Sequence, residues 1–238
     1  YGKGVQKAVK DTIAKRNLNI VIVAEETFKM GETDFRTALT SIKAAQPDVV
    51  YPAAFLNEQI PMVTQARRDV GLNTIFLAVE CNDDPDYYEG LGRYGEYSII
   101  ETRFSPYAIP RGDIADDMAA FRVHFKKRWG SYPGMMGAST YEGIYIAARA
   151  VEEAGTRQKE KVTAALAALS MPQMIEAMKG GVITFTDDFR EAKFDLYMEQ
   201  LMWNETSQEL RPVIVWPDHM KEADFVLPGW YVPGPATP

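Results

Sequence analysis

Through the first hundred residues, apolar positions spaced three and four apart alternate with short β-branched runs. Val5, Val9 and Ile13 predict a helix over residues 1–16, which feeds a strand over 18–24. After a loop containing Gly31, Thr33 or Asp34 opens a second helix with Phe35, Leu39 and Ile42 on one face, and Pro47 closes it. Asp48-Val-Val-Tyr-Pro-Ala-Ala shows little alternation, which suits a strand buried on both faces of a parallel sheet. The next helix is expected to be capped by Asn57, with Pro61 in its first turns and Ile60, Val63, Ala66 and Val70 as its stripe. Gly71 ends it, residues 74–79 form another buried strand, and Asp84-Pro85 starts a further helix with a cap and an N1 proline. The succession is that of α/β winding around parallel strands.

The pattern then changes. Residues 96–103 alternate enough for an edge or connecting strand, and Phe104-Ser-Pro-Tyr-Ala-Ile-Pro-Arg-Gly has the composition of a connector, which places a domain boundary there. Asp113 is expected to cap a helix with Ile114, Met118, Phe121 and Phe125 inward. Pro133-Gly134 leads to a longer helix over 137–154, striped by Tyr141, Ile144, Tyr145, Ala148 and Val151, and another follows over 158–169. No strand separates these three helices, so the sheet they cover has to come largely from elsewhere. Past Gly180-Gly181, residues 182–185 predict a short strand and Asp187-Asp188 a turn. Two strands over 194–203 and 210–216 are joined by a polar turn, and the proline-rich residues 217–238 read as a tail.

With 238 residues, 46% apolar and 25% charged, the chain has room for one large core or two small ones. Thirty-three acidic against 26 basic residues give a net charge of −7, which argues against a nucleic-acid or anionic-membrane surface. Lys126-Lys127-Arg128 is a short cluster on a predicted helix and reads as a solvated face. Cys81 is the only cysteine, so neither an internal disulfide nor a thiolate zinc site is expected. No apolar run reaches the ~18 residues of a membrane span. The chain opens directly on a helical pattern, without a signal-peptide pattern.

Few motifs carry chemistry. Gly90-Leu-Gly92-Arg-Tyr-Gly95 matches G-x-G-x-x-G, but it follows a helix and precedes a strand, the reverse of what a dinucleotide site needs. His124 sits between Phe121 and Phe125 with no acidic or cysteine partner at ligand spacing, and His219 stands alone. Asn204-Glu-Thr206 matches the glycosylation sequon, yet asparagine is expected in a tight turn. No cofactor or metal is expected. In open parallel sheets ligands collect beyond the carboxyl ends of the strands, which directs attention to Phe55, Asn57 and Glu80. A carboxylate there is poised to meet a cation in a cleft, and equally can be a solvated loop acid before the Asp84 cap. Glu80 beside Cys81 also suggests a base and a nucleophile, although no cation or imidazole in the segment would lower the thiol's pKa.

Several blocks resemble one family. Tyr1-Gly-Lys-Gly, then Thr33-Asp-Phe-Arg-Thr-Ala-Leu-Thr-Ser-Ile-Lys-Ala-Ala-Gln-Pro-Asp-Val-Val, Gln65-Ala-Arg-Arg-Asp-Val-Gly-Leu, Phe125-Lys-Lys-Arg-Trp-Gly and Thr140-Tyr-Glu-Gly-Ile-Tyr are similar to the type I solute-binding proteins of ABC importers, of the branched-chain amino-acid (leucine/isoleucine/valine) type. The resemblance covers most of residues 1–200. It implies two α/β lobes, parallel sheets flanked by helices, joined by three crossing strands and closing on a ligand. Residues 1–103 and 194–217 would form the second lobe, 104–193 part of an incomplete first lobe, and 218–238 a C-terminal tail. Carried over, Tyr1 and Phe55 are ligand-contacting aromatics and Glu80 takes the ligand's α-ammonium. Where tyrosine stands at the position of Phe55, phenylalanine keeps the apolar wall and drops a hydroxyl. The implied function is periplasmic or extracellular capture of an amino acid or related small solute for delivery to an ABC permease, without catalysis. A ligand sensor of the same fold and a small α/β enzyme acting at Glu80 and Cys81 are the alternatives.

Overall fold

The computed structural model describes residues 1–175, 181–188, 191–192 and 195–231, and of Glu80 it describes the backbone. Helix α1 (Gly2–Arg16) closes on Asn17 in the left-handed conformation, with Lys15 and Arg16 in its last turn, where cations suit the helix dipole. Residues 18–24 form no strand. Their apolar side chains are exposed, Val21 at 62% and Ile20 at 55%, because no neighbouring strand among the described residues pairs with them. The β-branched run supplies propensity, but a strand exists only through its ladder.

From Asp34 onward the expected winding is present. Helix α2 (Arg36–Ala44) starts two residues later than Asp34, whose Oδ1 accepts from the Arg36 backbone N at 3.2 Å, and it buries Phe35 and Leu39 as predicted. Strand β1 is only Val49–Val50. Helix α3 (Leu56–Gln65) takes Phe55 as its N-cap rather than Asn57 and contains Pro61; it continues as a π-helical turn, Ala66–Val70, that ends on Gly71 at φ 64°. Strand β2 (Ile75–Ala78) follows, then α4 (Pro85–Leu91), whose cap Asp84 accepts from the Asp86 N at 2.9 Å. Strand β3 (Ile99–Thr102) is not at an edge: it pairs in parallel with β2 and antiparallel with a later strand. The glycine motif at Gly90 to Gly95 spans the end of α4 and a 3-10 turn ahead of β3.

After the connector come α5 (Ala115–Trp129), preceded by a 3-10 turn at Gly112–Ile114 that replaces the expected Asp113 cap, then α6 (Met135–Ala154) and α7 (Lys159–Ala167). Strand β4 (Met171–Pro172), which the sequence pattern did not suggest, pairs antiparallel with β5 (Val182–Ile183). The hairpin β6 (Tyr197–Asn204) and β7 (Glu209–Trp216) forms as expected and completes a five-stranded sheet ordered β1-β2-β3-β6-β7. Thr102 lies opposite Tyr197, so the chain leaves the sheet after β3 beside the point where it re-enters at β6.

Two apolar clusters result. One, from Phe35 and Leu39 through Phe76, Tyr87 and Ile100 to Leu201, packs helices α2 to α4 on the sheet. The other joins Phe104, Met118, Met135 and Ala138 to Tyr197 and Ile214. Helix α6 departs from expectation in which face it buries. Met135, Ala138, Glu142 and Ala150 turn inward, whereas Ile144 (65% exposed), Tyr145, Ala148 and Val151 of the predicted stripe stay exposed. The predicted tail is in part a strap: Val226 and Gln200 exchange two 2.8 Å hydrogen bonds, and Glu222 Oε1 accepts from the Ile109 N at 2.6 Å. The expected proximity of Phe104 to Lys193 involves a residue outside those described.

Candidate functional site

The carboxyl ends of β1 and β2 lie side by side because the two strands are parallel, Val49 opposite Ile75. Beyond β1 the chain makes a tight bend, with the Ala54 N donating to Pro52 O at 2.9 Å, and delivers Phe55 to the head of α3. The Phe55 ring stacks on that of Tyr1, with centroids 5.5 Å apart and planes 16° from parallel. The start of α1 lies beside this bend: a Cβ on Gly2 would sit 3.8 Å from Ala53 O, an ordinary contact. Both rings remain exposed, Tyr1 at 69% and Phe55 at 43%, and form an apolar surface at this end of the sheet.

Beyond β2 the backbone turns at once into a 3-10 turn, Glu80–Asn82, with the Asn82 N donating to Val79 O at 3.0 Å. The structure thus brings Tyr1 and Phe55 together and places the Glu80 backbone at the expected strand end, while the Glu80 side chain lies outside what is described. The link between the two strand ends is Asn82, fully buried, whose Nδ2 donates to Ala54 O at 3.0 Å and to Gln59 Oε1. This residue escaped the sequence reading, in which it is one more polar loop position; its only signal is a neutral amide directly behind a buried strand. Asn57, by contrast, is exposed on α3. Cys81 is half-buried against the second apolar cluster, its Sγ 3.9 Å from Asn82 Oδ1. That packing gives no basis for a reactive thiolate.

The other half of the molecule meets this end of the sheet through α6. The Met135 N donates to Asp83 O at 2.8 Å, and Arg103 Nη2, just beyond β3, lies 3.3 Å from both Met135 Sδ and Ser139 Oγ. Loop 25–33 is tied to α3 by the Gly31 N, which donates to Glu58 Oε1 at 3.0 Å. A cavity of about 130 Å³ lined by Arg67, Asn73, Arg93, Tyr94, Glu96, Tyr97 and Trp230 sits at the other end of β2, where Arg67 Nη2 donates to Thr74 O at 2.6 Å. Burial there lowers the Arg67 guanidinium to about 10. It is remote from the aromatic pair. Among the described residues no three His, Cys, Asp or Glu side chains gather as metal ligands, and no helix is long and apolar enough to cross a membrane.

The arrangement has relatives. The model of the family described as "Periplasmic binding protein" matches residues 1–204. The Leu/Ile/Val-binding protein of Escherichia coli K12 is 35% identical over 80 residues, 34% of this chain and 21% of the relative. The leucine-, isoleucine-, valine-, threonine- and alanine-binding protein of Pseudomonas aeruginosa is 24% identical over 169 residues, 71% of this chain and 43% of the relative. The chain therefore spans less than half the length of these relatives. Among solved structures, a branched-chain amino acid transporter substrate-binding protein of Streptococcus pneumoniae in complex with isoleucine superposes with a TM-score of 0.72 at 20% identity, covering 91% of this chain and 57% of that one. A solute-binding protein of Rhodopseudomonas palustris with benzoate gives 0.65 at 16%, covering 87% and 53%. The likeness in fold extends over nearly the whole chain and the family match runs from Tyr1 to the last residue of β6: the chain belongs to the periplasmic binding protein family.

Proposed function

We propose that this chain carries one wall of an extracytoplasmic receptor that captures an amino acid or close relative and presents it to an ABC permease. The observation that carries the reading is the Tyr1–Phe55 stack at the carboxyl end of a parallel sheet, open on one side and held beside the Glu80 turn by Asn82. In this reading the two rings cover the ligand's apolar part and Glu80 accepts from its α-ammonium. Binding, without bond making or breaking, is the whole of its action. Thr102 opposite Tyr197 supports residues 103–104 and 195–196 as adjacent crossings about which two lobes, 1–103 with 194–217 and 104–193, would close.

Calorimetry separates the ligand classes. A charge-assisted hydrogen bond contributes roughly 1.5–3 kcal/mol, so Glu80→Gln is expected to weaken isoleucine binding about ten- to a hundredfold. Benzoate, which has no ammonium, would be indifferent to the change. Equal isoleucine affinity in both proteins would remove Glu80 from the site. Tight benzoate binding with no response to isoleucine would move the reading to aromatic acids, which the stacked rings suit equally well.

A further inference from the structure

Two carboxyl groups that ligand capture does not use lie behind the proposed binding wall. Asp83 follows the turn after β2 and Glu199 sits on β6 opposite Ile100 of β3; both are fully buried. The Tyr88 hydroxyl donates to Asp83 Oδ1. Asp83 Oδ2 and both Glu199 oxygens have no hydrogen-bond partner among the described residues. The nearby hydroxyls are those of Thr102, which donates to Phe104 O at 2.8 Å, and Ser105, and the charges that act on the pair, Asp84 and Glu222, are both acidic. From α6 the pair meets the backbone of Gly134 and Met135, and from β7 it meets Ile214, opposite Glu199. Arg103, the nearest arginine in sequence, is directed at Met135 and Ser139 of α6.

Two ionised carboxylates in such a space lose their hydration and repel each other, whereas one shared proton converts the repulsion into a hydrogen bond. The same segment seats α6. Met135 N donates to Asp83 O, and a Cβ at Gly134 would fall 2.0 Å from Asp84 Oδ2 and 3.1 Å from Asp83 O, so the first turn of α6 rests directly on Asp83-Asp84. We propose that Asp83 and Glu199 share one proton and that this proton keeps α6 seated on the sheet, so that its loss loosens the joint between the two halves.

Burial is the main cause that pushes the Asp83 carboxyl up to about 7, and burial followed by the charge of Asp83 holds Glu199 well above the usual carboxylate range. The sign follows from linkage. Between the ordinary carboxylate range and neutrality the folded chain binds more protons than the unfolded one, so the pair's contribution is complete at acidic pH and is lost as pH rises through about 7. The joint should tighten in mild acid and loosen in mild base.

Hydrogen exchange at the Met135 amide reads the joint without any ligand, so its outcome is separate from that of the binding experiments. Corrected for intrinsic exchange, protection in the wild type should fall as pH rises from the ordinary carboxylate range to about 7, approaching tenfold per unit, and level off above it. In Glu199→Gln, whose amide donates to Asp83 without titrating, it should stay nearly flat. Equal slopes in the two proteins, or flat wild-type protection between the ordinary carboxylate range and about pH 7, would overturn the proposal. Should the variant not fold, infrared spectroscopy of the wild type decides: a protonated-carboxyl band at the acidic end that vanishes at the basic end supports the shared proton, and its absence at the acidic end excludes it.

Discussion

Asn82 joins the two strand ends through one amide nitrogen, donating to Ala54 O and Gln59 Oε1 in a space without water access. Asn82→Ala removes both bonds and strands the buried Ala54 carbonyl, at a cost of about 1–3 kcal/mol. The urea midpoint should fall accordingly, and ligand affinity with it, since Phe55 follows Ala54 directly. An unchanged midpoint would show that the strand ends are held by packing alone. Phe55 and Tyr1 were legible in the sequence as strand-end and resemblance positions, but that their rings stack was not: the distance between residue 1 and residue 55 is set by α1 and β1 together.

At the scale of elements, caps and glycines separate local from tertiary demands. Asp84 caps α4 as its place before Pro85 predicts, but the same carboxylate also lies against Gly134 at the head of α6, a contact no local pattern reveals. Gly134→Ala must push Asp84 aside, and overpacking of this kind costs about 1–3 kcal/mol. Gly143, inside α6 with nothing within 4 Å of its would-be Cβ, provides the comparison. Gly143→Ala should stabilise by about 0.5–1 kcal/mol through backbone entropy and helix propensity. Thermal melts of the two variants should therefore shift in opposite directions; a shared direction would contradict the seating of α6 on Asp84.

Among the described residues, α6 leaves an apolar line uncovered. Val123 and Trp129 on α5, and Met136, Ile144, Tyr145 and Val151 on α6, are exposed, and spacing places Ile144, Ala148 and Val151 on one line of α6. A patch of this kind drives association. The 238-residue chain, purified by itself, is expected to self-associate as concentration rises, and the double change Ile144→Lys, Val151→Glu should suppress this without lowering the melting temperature. Light scattering that finds a monomer at every concentration would show that the face is tolerated by water.

The sequence by itself determined the winding from Asp34 to Asp84 and the β6–β7 hairpin, because helix periodicity, caps and buried strands are local signals repeated at every turn. It did not determine what pairs with what. Residues 18–24 have strand composition and form no strand, β3 is interior although its alternation suggests an edge, and α6 buries a face other than its most apolar one. Each outcome depends on a neighbour distant in the chain. Ladder partners, the Asn82 bridge and the burial of Asp83 and Glu199 exist only once segments from about twenty to more than a hundred residues apart have met, so only the tertiary structure decided them.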